Sequence, residues 1–329
     1  MARVLITPVQ FRNPEASYFS VLHEAGLESV FPQDQRYVND PAALVQELKG
    51  MDAAIASTEP YTAEVIAQSN LRVIARTGVG YDSIDVPAAT AGGVAVTITP
   101  GAVDMSVAES TLALIYAVYR DVIARDREVR EGRWLRRSFP RLAGKTLGIF
   151  GLGRIGRTVA ELARGVKLNV IAYDPYADAA QAAELGIRLC TKEELLAEAD
   201  IVSLHAPSTP ETTNFICKAT LQQMKPDAVL INTGRGPLVN EADLYEAMSA
   251  GHLRAAALDV FQQEPTPTDN PLLSLPNVIA APHTAGLDHQ SEIDMPRIAA
   301  ECVARLYQGD WPTGCVINDS LRTSWRWNR

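Results

Sequence analysis

Short apolar runs alternate along this chain with stretches whose apolar positions fall at helical spacing. In the first hundred residues RVLIT, MDAAIAS, LRVIART and VAVTIT read as strands, and PEASYFSVLHEAG, YTAEVIAQSN and VPAATAGG as helices stopped by glycine or asparagine. Strands alternating with helices predict parallel β-α-β units with helices on both faces. Two longer helical stretches follow, Asp104 to Arg120 with Asp104 as a cap candidate, and Ala124 to Trp134. A second alternating series opens at Lys145, with strands in TLGIF, NVIAYDPY, DIVSLHAP, AVLINTG, AALDVF and NVIAAPHTAG. The last forty residues return to helix in SEIDMPRIAAECVARLYQG and then a tail. The expected fold is α/β, with two Rossmann-like domains built on doubly wound parallel sheets. One domain takes residues 1–103 and 288–329, and the other, 104–287, is inserted into it.

Composition narrows the class without changing that picture. At 329 residues the chain is too long for one core and suits two domains. A formal net charge of −9 argues against nonspecific nucleic-acid binding, which needs excess Lys and Arg. The arginines between Arg120 and Arg141 are interleaved with acids and read as a solvated helix face. Cys190, Cys217, Cys302 and Cys315 form no C-x-x-C pair and have no histidine at ligand spacing, so neither a metal site nor a disulfide framework is expected. MARVLITP is too short for a signal segment and no run reaches membrane-spanning length, so a cytoplasmic protein is expected.

The first chemistry-bearing motif is Gly151-Leu152-Gly153-Arg154-Ile155-Gly156, which follows an apolar strand and opens a helix. Gly151 permits a tight turn, Gly153 lets a pyrophosphate approach the backbone, and Gly156 lets helix and strand pack closely. Asp174 stands 18 residues beyond Gly156 at the end of NVIAYD, where an acid accepts from adenosine ribose hydroxyls. The same carboxylate repels a 2′-phosphate, so NAD is favoured over NADP.

Three polar residues then stand at the ends of apolar strands: Arg235 after VLINTG, Glu264 after ALDVF, and His283 after NVIAAP. Each alone reads as a surface or loop residue. Together, beside a nicotinamide site, they describe ketone reduction. A histidinium donates a proton to a carbonyl oxygen as hydride arrives, and a carboxylate on the other ring nitrogen favours the charged ring. An arginine fork binds a 2-carboxylate and polarises the carbonyl.

The stretches TGVGYDSID, TPGAVDMSVAESTLAL, LAGKTLGIFGLGRIG, LHAPSTPET, LINTGRGPLVNEADL, ALDVFQQEP and NPLLSLPNVIAAPHTAG, in this order, resemble the D-isomer-specific 2-hydroxyacid dehydrogenase family over almost the whole chain. The resemblance implies an NAD domain inserted into a flavodoxin-like substrate domain, a homodimer through the NAD domain, and an Arg, Glu, His triad at Arg235, Glu264 and His283. It also implies that Arg154 and Ile155 lie in the cofactor turn, that Pro207 and Thr212 flank the adenosine, and that Thr233 lines the cofactor cleft. Asp259 would hold the nicotinamide amide or cap a turn, and Ala285 and Gly286 would lie beside the nicotinamide. His205 reads as a packed strand-end histidine, Trp134 as a dimer-arm residue and His289 as a solvated helix start.

In the family the loop matching TGVGYDSID offers backbone N–H groups, here of Val79 and Gly80, to the substrate carboxylate. Some members, including 3-phosphoglycerate dehydrogenases, carry an arginine at the place of Arg76 and use it on a distal phosphate. A substrate with a second anionic group, and a local ion pair of Arg76 with Asp82 or Asp85, are both open on this reading. The implied activity is an NAD-dependent D-2-hydroxyacid dehydrogenase or 2-ketoacid reductase, with His283 and Arg235 also touching substrate. The alternatives are a short-type D-3-phosphoglycerate dehydrogenase, without the C-terminal regulatory domain of many of those enzymes, or a non-catalytic NAD-sensing corepressor-like protein. Formate oxidation is disfavoured, because formate dehydrogenases resembling this family have glutamine at the place of Glu264.

Overall fold

The computed structural model of the chain describes residues 1–8 and 16–328. These divide into two compact units, Met1–Val103 with Leu287–Arg329, and Asp104–Gly286.

The first unit runs β1 (Ala2–Ile6), α1 (Ser17–Glu24), β2 (Leu27–Val30), α2 (Pro41–Glu47), β3 (Ala53–Ala56), α3 (Ala63–Ala67), β4 (Val73–Arg76), α4 (Val86–Ala91) and β5 (Ala95–Thr97). Its five strands are parallel in the order β2-β1-β3-β4-β5. That is the flavodoxin-like order, whose ligand crevice lies at the carboxyl ends of the central strands. Strand β3, Ala-Ala-Ile-Ala, is buried on both faces, as a central parallel strand must be. Asp40, Thr62 and Asp85 accept from helix N-terminal amides and so start α2, α3 and α4. Of the helix predicted from Pro14, Pro14 and Glu15 lie outside the described residues. Its end is at Glu24, with Gly26 at φ +79° just beyond.

The second unit opens with α5 (Asp104–Tyr119) and α6 (Val122–Arg130). It continues as β6 (Thr146–Phe150), α7 (Arg154–Gly165), β7 (Asn169–Tyr173), α8 (Ala179–Glu184), β8 (Arg188–Leu189), α9 (Lys192–Glu198), β9 (Ile201–Leu204), α10 (Lys218–Leu221), β10 (Val229–Asn232), α11 (Glu241–Ser249), β11 (Ala255–Leu258) and β12 (Val278–Ala280). Seven parallel strands stand in the order β12-β11-β10-β9-β6-β7-β8. The order reverses between β6 and β9, which makes the carboxyl end of β6 the switch point. Side chains of α5, α7 and α8 cover one face of the sheet and those of α9, α10 and α11 the other. Gly148 lets α9 come close, since a Cβ there would sit 2.8 Å from that of Ala199 at the end of α9.

The predicted helix from Ala124 to Trp134 is corrected. It runs from Val122 to Arg130, follows a left-handed Asp121 and gives way to Gly132 at φ +78°. Trp134 therefore stands in an irregular, exposed segment. Strands β2 and β8 were not read from the sequence. One carries a charged residue mid-run and the other has two residues, so neither shows a strand period.

Helix α12 (Ser291–Tyr307) belongs to the first unit and packs on α1, β3 and β4. The chain then pairs Val316 antiparallel with Thr97 of β5. Among the described residues no helix is long and apolar enough to cross a membrane.

Candidate active site

The turn after β6 is shaped by its glycines. Gly151 has φ +93°, and a Cβ there would lie 2.6 Å from the Ala206 nitrogen. A Cβ on Gly156 would collide with the Gly151 carbonyl, whereas one on Gly153 would meet nothing within 4 Å. Two glycines are thus required for packing, and the third leaves open space at the start of α7. Gly153 is the N-cap of α7 and no side chain caps that end, so the helix presents uncapped N–H groups there. Asp174 follows β7 and accepts from the Leu152 N–H at 2.7 Å and the Tyr176 N–H at 2.8 Å. An ionised carboxylate has about four acceptor sites, so acceptor capacity is left for ribose hydroxyls. A cavity of about 560 Å³ adjoins it, lined among others by Tyr173, Asp174, Leu189, Cys190 and Lys192. The residues present therefore fit a dinucleotide.

Two of the expected cofactor residues hold protein groups. The Arg154 guanidinium donates to Asp104 Oδ2 at 2.8 Å. Asp104 is thus not a cap but sits in the first turn of α5 as the partner of Arg154. Ile155 is partly buried against the α5–α7 face. On the far side of the switch point, Thr212 donates to the Pro207 carbonyl at 2.7 Å and accepts from the Thr209 N–H at 2.8 Å, closing the turn after β9. His205 pairs with Ser203 Oγ through Nε2 at 2.8 Å. Although the residue keeps some exposure, its Nδ1 is sealed off and has no partner among the described residues. Burial pulls its pKa from the ordinary 6.5 to about 4, so the ring is neutral near pH 7.

The loops after β10, β11 and β12 are locked together. Asn232 accepts from the Gly234 N–H and donates to the Arg235 carbonyl, which fixes the turn carrying Arg235. Arg235 stands between two glycines that nothing larger can replace. A Cβ on Gly234 would lie 2.8 Å from the Leu204 carbonyl oxygen, and one on Gly236 would collide with that of Phe261. Thr233 is buried and its hydroxyl lies 2.9 Å from that of Thr111 on α5. Glu264 accepts from the Phe261 N–H through Oε1 at 2.9 Å and meets His283 Nδ1 through Oε2 at 2.6 Å. Burial pushes the Glu264 carboxyl up. The hydrogen bonds from His283 and the Phe261 amide, with the charges of His283 and Arg235, outweigh it and hold the group below its ordinary value of 4.5. With Nδ1 on the glutamate, Nε2 is the ring nitrogen left for a substrate.

Asp259 shows the turn-holding role. It is 2% exposed, and its Oδ1 and Oδ2 accept from the N–H groups of Thr284 at 2.9 Å and Ala285 at 2.8 Å. Its carbonyl takes the His283 N–H at 2.7 Å. Three consecutive amides thus converge on one residue and hold His283 at φ +55°, a left-handed conformation that non-glycine residues adopt at a cost. Ala285 is buried, and Gly286 ends this unit.

In the first unit, the loop after β4 is tied down by Thr99, whose Oγ1 accepts from the Gly78 N–H at 2.8 Å and whose N–H donates to the Gly78 carbonyl at 3.0 Å. No hydrogen bond among the described residues uses the N–H of Val79 or Gly80. Arg76 folds back over this loop, its Nη1 donating to the Thr77 carbonyl. Asp85 gives Oδ1 to the Ala88 N–H as the cap of α4. His289 is exposed just before α12.

A family model described as the D-isomer specific 2-hydroxyacid dehydrogenase, NAD binding domain, matches residues 112–285, more than half of the chain. The chain belongs to this family. It is 41% identical over 287 residues to a glyoxylate reductase of Korarchaeum cryptofilum, covering 85% of this chain and 86% of that protein. It is 40% identical over 270 residues to a D-3-phosphoglycerate dehydrogenase of Archaeoglobus fulgidus, covering 81% of this chain and 51% of the other. The chain thus spans about half the length of the D-3-phosphoglycerate dehydrogenases it matches. Among solved structures, a D-lactate dehydrogenase from Aquifex aeolicus complexed with NAD and lactic acid superposes with a TM-score of 0.85 at 28% identity, over 95% of this chain and 98% of that one. The resemblance read from the motifs and the two doubly wound sheets are both borne out.

Sequence reasoning missed the residues that hold the site rather than form it. Thr111, Ser110 and Asn232 lie inside stretches that resemble the family, yet spacing alone does not show which neighbouring loop each side chain serves, because that is written in the tertiary fold.

Proposed function

We propose that the chain is an NAD-dependent D-2-hydroxyacid dehydrogenase acting as a 2-ketoacid reductase. The observation that carries this is the 2.6 Å contact of His283 Nδ1 with Glu264 Oε2, with the Arg235 charge acting on the same carboxylate. The carboxylate holds Nδ1 and orients the ring, so that Nε2 donates a proton to the carbonyl oxygen in reduction and recovers it in oxidation. Arg235 binds the 2-carboxylate and polarises the carbonyl. In the first unit, the N–H groups of Val79 and Gly80 are the donors for a substrate carboxylate. The nicotinamide, when bound, supplies or accepts the hydride at substrate C2. Gly153 and the α7 N-terminus receive the pyrophosphate, and Asp174 takes the ribose hydroxyls and disfavours a 2′-phosphate, so NAD is preferred over NADP.

The test is a panel of 2-ketoacids with NADH and NADPH: glyoxylate, hydroxypyruvate, its phosphorylated form and longer dicarboxylates. Turnover with NADH on at least one is expected, with loss of several orders of magnitude in His283→Ala. Tight NADH binding with no turnover on any acid would support a corepressor-like role instead. Arg76→Ala on the best substrate reads the far end: selective loss on substrates with a distal anion assigns Arg76 to that anion, and equal loss on all confines it to the loop.

The active form is a homodimer through the second unit. Val122, Ile123 and Val129 are about half exposed on α6, and Trp134 at 80% and Leu135 at 60% stand on the segment after it. An apolar surface of this kind marks an interaction site. Trp134→Asp is expected to shift the mass in light scattering from dimer to monomer.

A further inference from the structure

Helix α5 reaches three loops of the second unit's site, the cofactor turn, the loop of Arg235 and the loop of His283. Asp104, in its first turn, holds Arg154 at the cofactor turn. Two turns later, adjacent residues reach the other two loops. Thr111 is fully buried and donates to the Val107 carbonyl at 2.8 Å, so the 2.9 Å contact with Thr233 has Thr233 as the donor. Thr233 is two residues from Arg235. Ser110 donates to the Ala285 carbonyl at 3.1 Å, and Ala285 is two residues from His283. The two hydroxyls thus attach the arginine loop and the histidine loop to neighbouring points on one rigid helix. Nothing else described joins these loops to a common anchor outside the sheet.

We propose that Thr111 and Ser110 are positioning residues, which set the separation of Arg235 from His283. This rests on the proposed reduction of 2-ketoacids. Neither hydroxyl touches a reacting atom in this assignment. Their effect comes through the loops, and misplacement on the scale of an ångström lowers turnover by up to about a hundredfold. A valine at position 111 keeps the shape and volume but leaves the Thr233 hydroxyl without its acceptor.

The experiment measures kcat and KM for the best ketoacid in wild type, Thr111→Val, Thr111→Ser and Ser110→Ala. Rates are taken per NADH-binding site, titrated by fluorescence. Thr111→Val is expected to lower kcat by about tenfold or more with NADH affinity within about twofold of wild type. Thr111→Ser, which keeps the hydroxyl, should recover most of the rate. Ser110→Ala, at a half-exposed position that tolerates truncation, should lower kcat in the same sense. A role in stability alone would reduce the number of binding sites and the Tm while leaving kcat per site unchanged, and that result overturns the proposal. So does a Thr111→Ser variant as impaired as Thr111→Val. A wild type with no turnover on any acid would instead remove the reductase reading, and the proposal with it.

Discussion

His283 Nδ1 meets Glu264 Oε2 at 2.6 Å, and this contact leaves Nε2 as the ring nitrogen not held by the carboxylate. Glu264→Gln can present an amide N–H as well as a carbonyl to Nδ1, so the ring loses its single orientation, and kcat/KM for the best 2-ketoacid is expected to fall by about tenfold or more. An unchanged kcat/KM would detach Glu264 from the proposed acid–base role.

The same pair has a stability signature. The folded-state pKa of Glu264 is lowered, so the pair stabilises the fold above the ordinary carboxylate range and loses that contribution as pH falls through the folded value. The Tm gap between wild type and Glu264→Gln should therefore be widest above the ordinary value of 4.5 and close as the pH falls through the lower folded value. A gap that stays constant with pH would assign the difference to packing.

His205 titrates in the opposite chemical sense but loses stability in the same direction. Its folded pKa of about 4 lies below the ordinary 6.5, so stability is whole above that ordinary value and falls as pH drops towards 4, when only the unfolded chain takes the proton. The full effect is up to about 3 kcal/mol. A His205→Gln variant should show a flatter Tm between those pH values than wild type, and parallel curves would refute the assignment.

Asp259 gives both oxygens to amides. In Asp259→Asn one oxygen becomes an NH₂ facing a backbone N–H, at a cost of about 1–3 kcal/mol, which appears as a Tm fall of several degrees. The rate should fall with it, because the amides of Thr284 and Ala285 that follow His283 lose part of their hold. A stable variant with normal kcat would show that the loop needs no such anchor.

Arg235→Lys tests whether a charge suffices. Lysine lacks the planar fork and the five donors, so kcat/KM for 2-ketoacids is expected to fall by about a hundredfold or more. Near-normal rates with lysine would mean that the arginine acts only as a distant charge.

The parts of the molecule legible in the sequence were those with a period or a local steric demand. The buried strands β3, β6, β9 and β10 are nearly unbroken apolar runs, and parallel sheets buried on both faces require that. Gly151 and Gly156 were readable because a turn and a close approach admit no Cβ. Position along the chain does not tell a carboxylate held for a ligand from one held for the protein. Asp104, a cap candidate in the sequence, pairs with Arg154, and of the two roles open to Asp259 the hydrogen bonds to Thr284 and Ala285 show the loop-holding one. The end of α6 was misread because charged residues at helical spacing continue to Arg133, although Gly132 already turns the backbone left-handed.

The loop from Arg76 to Asp85 takes its anchors from its own sheet: Gly78 on Thr99, the Ser83 carbonyl on the Tyr61 N–H, and Asp85 on both the Tyr61 carbonyl and the Ala88 N–H. The Arg235 loop is held by Asn232 of β10 and Thr111 of α5, and the His283 loop by Asp259 after β11 and Ser110 of α5. On the proposed reading, the loop that would meet the far end of a substrate and the loops that would carry out proton transfer are each fastened within their own unit. For protein engineering this makes residues 76–85 an exchangeable cassette. On the proposed reading, a loop grafted between Thr77 and Asp85, with the threonine partner at 99 retained, would change substrate preference while leaving Arg235, Glu264 and His283 in place.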